Sequence, residues 1–339
     1  MSLSLSAAPA AAGNHAETHP PVTNDTTYLR PITKPSQPVL TFNFPGFHIG
    51  TAEYAEGPTG CTVFYFPEGA SAAADVRGGS PGTLMAGDGY VDAICYAGGS
   101  LLGLEAATGV ASELFARRRF STEFPAIPVV RGAIIYNFGP RETAVYPDKA
   151  LGRAALKAAS PGVFPLGPRG AGRSASCGPG FDFDMAETTG QGGAFRVIGP
   201  TKMAAFAVVN ALGAIHNRQG KVVRGFFDRK TGRRSSYPEM LDRRLAAPPA
   251  AGEPHQGNTN LTVIVTNQKL DPKTLAQLSR QVHSSMARAI QPFHSPYDGD
   301  VLYAVTTNEV DNPALDATSL GVAAAELAWD AVLSSFIGS

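Results

Sequence analysis

The chain has 339 residues, 43% of them hydrophobic, enough to bury one large core or two modest ones. Lys plus Arg and Asp plus Glu each number 28, so the formal net charge is zero, whereas a nucleic-acid binder shows a basic excess because phosphate neutralisation dominates its affinity. Cys61, Cys95 and Cys177 are too few and too widely spaced for a disulfide framework, and no pair has metal-ligand spacing.

Residues 1–38 are rich in Ala, Pro, Thr and Asn, with no Lys or Arg before Arg30 and no sustained apolar stretch. They read as a disordered arm, not a secretory signal. No run is long enough to span a membrane, and a cytoplasmic location follows by default. Short apolar runs at 42–49 and 62–66, bounded by Gly and Pro, predict strands. Residues 91–100 predict a buried strand ending in a Gly turn, and 101–117 a helix with Leu104, Ala107, Val110 and Leu114 on one stripe. A strand follows at 132–138, a helix at 148–159 and a Gly-rich loop at 162–180. Residues 202–214 and 221–227 predict strands, and the basic stretch 224–244 a solvated loop or edge. Residues 245–258, full of Pro, Ala and Gly, behave like a linker.

The pattern sharpens after the linker. Residues 260–266 place Leu261, Val263 and Val265 on one face of a strand. Asp271 and Pro272 form an N-cap and N1 pair, and the helix behind them aligns Leu275, Leu278, Val282, Met286 and Ile290. An Asp-Gly-Asp turn leads into a strand at 301–307, and an amphipathic helix with Trp329 covers 319–336. Mixed strands and helices of this kind predict two sheet layers with helices outside.

The familiar active-site motifs are absent. AGGSLLG at 97–103 has the wrong spacing for a serine elbow and lacks the full dinucleotide-binding glycine pattern. There is no phosphate-cradling loop, and His283 and His294 show no H-E-x-x-H pattern, so each reads as a hydrogen-bonded structural histidine. What remains is the junction Gly257-Asn258-Thr259. A threonine hydroxyl is a poor nucleophile without a base, and its own α-amine supplies one if Thr is the first residue of a chain, since that group titrates near ~7.7–8.0. The chain would then have to cut itself between Asn258 and Thr259. Taken alone, the tripeptide equally describes an ordinary turn before a strand.

The junction GNTNLTVIVTN, followed by HSSMARAIQPFHSPYDGDVLYAVTT, resembles the nylon-oligomer hydrolases, or 6-aminohexanoate-oligomer endohydrolases. These lie within the L-aminopeptidase/D-esterase and β-aminopeptidase family. PGFHIG (45–50), DVRGGSPGT (75–83), VDAICYAGGSLLGLEAATGV (91–110) and YPDKALGRAAL (146–156) match family blocks in family order. The resemblance covers residue 40 to the C-terminus.

It implies an α+β fold, a four-layer α-β-β-α sandwich of N-terminal-nucleophile hydrolase type. It also implies self-cleavage into a large chain (39–258) and a small chain (259–339), assembly into a homotetramer of such pairs, and catalysis without a metal or organic cofactor. On this resemblance Thr259 is the nucleophile. Asn210 and Tyr146 would donate to the oxyanion, and Asp298 and Asp300 would orient the Thr amine. Spacing alone describes Asp298 and Asp300 equally well as an Asp-Gly turn. The family's Lys after the glycine aligned with Gly178 is here Pro179, followed by Gly180. The activity implied is endo-hydrolysis of 6-aminohexanoate oligomers through an acyl-Thr259 ester. A β- or L-aminopeptidase or D-esterase, and an uncleaved non-enzymatic relative, are the alternatives.

Overall fold

A computed structural model describes residues 21–33, 38–246 and 257–338. Its main sheet contains β1 (His48–Tyr54), β2 (Thr59–Val76), β3 (Gly89–Ala97), β4 (Val130–Ile134), β5 (Gln191–Ile198), β6 (Thr201–Asn210), β7 (Thr259–Gln268) and β8 (Val301–Val310). The order is β5-β6-β7-β8-β2-β3-β4, with β1 added to β2 and a two-residue strand, Thr83–Leu84, added to β4. The pairs β7–β8 and β3–β4 are parallel and the others antiparallel.

This one hydrogen-bonded sheet forms two layers because β2 changes partners along its length. Thr59 to Tyr65 pair with β1, and Ser71 to Val76 pair with β8. Between these segments the register against β3 shifts, with Gly69 at a φ of 72° that suits a residue without a Cβ. The two halves then face each other. Phe64 and Phe206 lie 5.3 Å apart between ring centroids, and the Tyr96 hydroxyl donates to the Thr262 carbonyl at 2.6 Å although β3 and β7 are not neighbours in the sheet.

Alternation along the strands feeds three cores. Leu261, Val263 and Val265 face the other sheet half, while Ile264 faces outward. Helices α4 (Pro272–Ser285) and α5 (Ala317–Ser334) cover that outer face with Leu278, Val282, Leu327 and Val332. On the opposite side α1 (Leu104–Arg117) and α2 (Lys149–Lys157) cover Cys61, Val63, Ala93 and Cys95. Three cores separate four layers, α-β-β-α. Asp148, Asp271 and Asp316 cap α2, α4 and α5 through backbone N–H groups, each contact contributing about 1 kcal/mol.

Several elements differ from expectation. Residues 21–33 are not a loose arm: Ile32 and Glu53 exchange backbone hydrogen bonds at 2.9 and 3.0 Å, and Leu29 packs on the α1–α2 core. Residues 1–20 of that expected arm lie outside the described residues, as does most of the linker, 247–256. Strand β5 was not anticipated because its glycines break the apolar pattern. A Cβ on Gly192 would lie 1.9 Å from the Ala331 carbonyl of α5, so close helix packing accounts for that glycine. The basic stretch contains a helix, α3 (Tyr237–Ala246), anchored by buried Met240. The three cysteines are free and buried. Among the described residues no helix is long and apolar enough to cross a membrane.

Candidate active site

Pairing of β6, β7 and β8 assembles the site. Thr259 opens β7 and stands opposite Asn210, the last residue of β6; both are 4% exposed. On the other side β7 runs parallel to β8, and a bridge between Asn258 and Asp298 extends that pairing back through the junction. Thus Asp298 and Asp300, distant in sequence from residue 259, come alongside it.

The Asn258 carbonyl is held by two donors. It accepts the Gly299 N–H at 2.8 Å and the Thr259 hydroxyl at 2.6 Å. A Cβ at residue 299 would lie 2.6 Å from the Thr259 Oγ1, so glycine there keeps the hydroxyl unobstructed. Asn210 donates from Nδ2 to the Tyr136 carbonyl at 2.9 Å and to the Gly257 carbonyl at 3.3 Å, while its Oδ1 accepts the Ser176 N–H at 3.2 Å. One Asn210 donor is therefore spent on the segment just before the Asn258–Thr259 bond. It becomes available if that segment leaves.

The two aspartates differ in their partners. Asp300 Oδ1 accepts the Asn260 N–H and Nδ2 at 2.8 and 2.9 Å; its Oδ2 accepts the His294 N–H and contacts His294 Nδ1, both at 3.0 Å. Asp298 Oδ2 accepts the Ser295 N–H at 2.9 Å, but its Oδ1 is buried with no hydrogen-bond partner. Burial first, and then the charge of Asp300, push the Asp298 carboxyl up to about 6, opposed most by Ser295. A carboxyl in that range exchanges a proton near neutrality, which suits it to proton transfer or to receiving an amine.

A cavity of about 340 Å³ opens onto Thr259, walled by Pro81, Ser100, Leu101, Ile134, Tyr136 and Tyr297, with no charged side chain in its lining. The larger cavity of about 720 Å³ is lined by Asp182, Asp184, Asp228, Arg229, Lys230 and Arg243 among others, and neither Thr259 nor Asn258 borders it. Chemistry therefore centres on the smaller one.

Of the predicted catalytic residues Thr259 borders this cavity; Asn210, Asp298 and Asp300 join Thr259 through the strand pairing, whereas Tyr146 is in neither group. Its main chain is tied to Asn24 at 2.9 and 3.1 Å, its Cβ packs over Gly99, and its hydroxyl faces Glu105. Burial, followed by Glu105, raises that hydroxyl above the usual tyrosine range. Tyr136 takes the wall position instead, its ring against Gly257. The available signal was its place at the end of the 132–138 segment, where a strand runs out at the sheet edge; a tyrosine in a β-rich run otherwise says only strand. Pro179 is buried beside the apolar cluster of Phe226 and Met240. His294, read from the sequence as a hydrogen-bonded structural histidine, is hydrogen-bonded as expected, and the fold puts its partner in the site: Asp300. Among the described residues no group of three or more His, Cys, Asp or Glu side chains could hold a metal ion.

This layer order defines the N-terminal-nucleophile hydrolase fold. The L-aminopeptidase D-Ala-esterase/amidase of Ochrobactrum anthropi, described as a new variant among that fold, matches with a TM-score of 0.58 at 17% identity, covering 86% of this chain and 83% of its own. More specifically, the chain belongs to Peptidase family S58, whose description fits residues 42–339, and it is a hydrolase. It is 47% identical over 326 residues to a 6-aminohexanoate-oligomer endohydrolase of Agromyces sp. (strain KY5R), covering 92% of this chain and 90% of that protein. An uncharacterized aminopeptidase of Mycobacterium bovis is 31% identical, over 83% of this chain and 86% of its own.

Proposed function

We propose that this hydrolase cuts itself between Asn258 and Thr259 and then hydrolyses internal amide bonds of 6-aminohexanoate oligomers, and of polyamide surfaces, through an ester on Thr259. The observation that carries self-cleavage is the Asn258 carbonyl, gripped by Gly299 N–H while the Thr259 hydroxyl lies against it. In the first reaction Thr259 Oγ attacks the Asn258 carbonyl carbon and its proton passes to the departing Thr259 nitrogen. Water then hydrolyses the ester, leaving an Asn258 carboxylate and a free amine on Thr259. In turnover that amine takes the hydroxyl proton as Oγ attacks the substrate carbonyl, and the proton leaves with the product amine. Asn210, released from Gly257, donates to the oxyanion. Asp298 and Asp300 orient the new amine, with Asp298 Oδ1 still in need of a partner. Thr259, Asn210, Asp298 and Asp300 form the working set; Tyr146 supports the loop beside Asn24.

The substrate class is supported by the 47% identical endohydrolase and by the uncharged cavity. An aminopeptidase needs an acidic pocket for the substrate ammonium, and no carboxylate lines this cavity. The same reading includes a cytoplasmic homotetramer of cleaved pairs, supported by the family resemblance. Oligomers acylated at the amine test the endo assignment: they should be cut about as fast as free ones. Resistance of the acylated oligomers, with release of single units from free ones, would assign an aminopeptidase.

A further inference from the structure

Two histidines that the reaction above does not use form a buried link between the aspartate pair and the surface. His294 Nδ1 lies 3.0 Å from Asp300 Oδ2. Its ring meets His283 edge to face, with centroids 4.3 Å apart and planes at 82°. His283 Nδ1 in turn lies 3.0 Å from Asp75 Oδ2, which accepts Arg77 Nε at 2.6 Å. Along this path the Asp300 side chain is 0% exposed, His294 18%, His283 1%, Asp75 13% and Arg77 33%, so the chain of contacts meets solvent both at His294 and at its Arg77 end. Both Nε2 atoms are buried without a partner. His294 also holds a φ of 59°, a conformation that costs a non-glycine residue free energy and survives where the surroundings enforce it.

We propose that His294, backed by His283 and Asp75, is a positioning residue that sets the charge of the Asp298–Asp300 pair by carrying a proton against Asp300. Two carboxylates at 1% and 0% exposure repel each other, and among the described residues the ionic partner of this pair is His294. His294 Nδ1–H donates to Asp300, and the His294 ring meets the His283 ring edge to face. The groups facing the two rings are Asp300 and Phe293 from the loop before β8, Asp75 and Arg77 from the end of β2, and each ring from the other. Ser295, the residue after His294, donates its N–H to Asp298. Burial, opposed by the hydrogen bond to Asp75, lowers His283 below the usual imidazole range.

The consequence has a definite sign. An imidazolium at His294 compensates Asp300, so Asp298 ionises at lower pH and the carboxylate needed by Thr259 is present further into the acid range. The effect rests on the Thr259 chemistry proposed above. His294→Asn keeps a donor at the Nδ1 position, tolerates the left-handed backbone and cannot titrate. The experiment is the pH profile of kcat and KM for oligomer hydrolysis by the purified full chain, with Tm followed alongside. His294→Asn should move the acid limb of kcat to higher pH by about one unit, with KM unchanged. An acid limb coincident with wild type overturns the proposal, whatever the absolute rate. If His294→Asn does not fold, Asp75→Asn serves: a smaller shift in the same direction supports the relay, and none overturns it. A wild-type protein that neither splits nor hydrolyses oligomers fails the underlying function instead, a result distinct from an unmoved limb.

Discussion

The two halves of the bent sheet bury carboxylates equally deeply and treat them in opposite ways. Under α1, Asp92 is 1% exposed and accepts Arg118, Tyr90 and the Val129 N–H at 2.5, 2.8 and 2.7 Å. Under α4 and α5, Asp298 is also 1% exposed, yet one of its oxygens has no partner and its nearest charged neighbour is a second carboxylate. A buried carboxylate fully answered by arginine and N–H groups holds a fold together. One left half-answered beside another acid has a proton available for chemistry.

Substitutions can break this contrast, beginning with the largest effect. Thr259→Ala should abolish splitting on a denaturing gel and lower oligomer hydrolysis by at least about 10⁴-fold, the scale of losing a nucleophile. Continued turnover by that variant would remove Thr259 from the mechanism. Asp298→Asn should lower kcat by about 10²–10⁴-fold, the range for a proton-transferring group. Its stability should move the other way. The folded carboxyl sits at about 6 against an ordinary 3.8, so the folded chain retains a proton that the unfolded chain has released. Wild-type stability therefore falls as pH rises from about 4 to 6, by about 3 kcal/mol, and is fully present only below 4. Asp298→Asn lacks that loss, so urea unfolding should find it more stable than wild type at pH 8 and equal at pH 3.5.

Asp92→Asn is the mirror case. It strands Arg118, which is 30% exposed and partly rehydrated, so it should cost about 2 kcal/mol at neutral pH with kcat unchanged. Asn210→Ala should lower kcat by about 10²–10³-fold through the lost oxyanion donor, and also lower Tm, because it strands the Tyr136 carbonyl and the Ser176 N–H. The smallest effect is expected from Tyr146→Phe, within about twofold in rate, since its hydroxyl faces Glu105. A loss comparable to Asn210→Ala would return Tyr146 to the reacting atoms.

What could be read early follows the same division. Period-two and helical patterns located β2, β3, β6, β7 and β8 and helices α1, α2, α4 and α5, because those segments bury one clear face or both. Strand β5 escaped because its glycines serve α5, a contact invisible to local pattern. Helix α3 lay hidden in a basic stretch whose one buried anchor is Met240. At the site, Thr259 stood out as the place where a Pro-, Ala- and Gly-rich sequence gives way to a strong strand pattern, and became the nucleophile candidate only with the family resemblance. Asp298 and Asp300 looked like a turn until the family resemblance was added.

The sequence by itself determined the alternation that makes each strand two-faced, the aspartates that cap three helices, and the Gly-Asn-Thr junction where a Pro- and Gly-rich composition gives way to a strand pattern. These are local properties, set by neighbours within a few residues. Only the tertiary structure decided that β7 pairs with β6 on one side and runs parallel to β8 on the other. That arrangement places Asn210, Thr259 and Asp298 in adjoining registers, puts Tyr136 rather than Tyr146 in the wall, and brings two histidines from α4 and a loop into contact. The physical reason is that sheet pairing is non-local: which strands become neighbours depends on burying three cores at once, and no short stretch of chain encodes that.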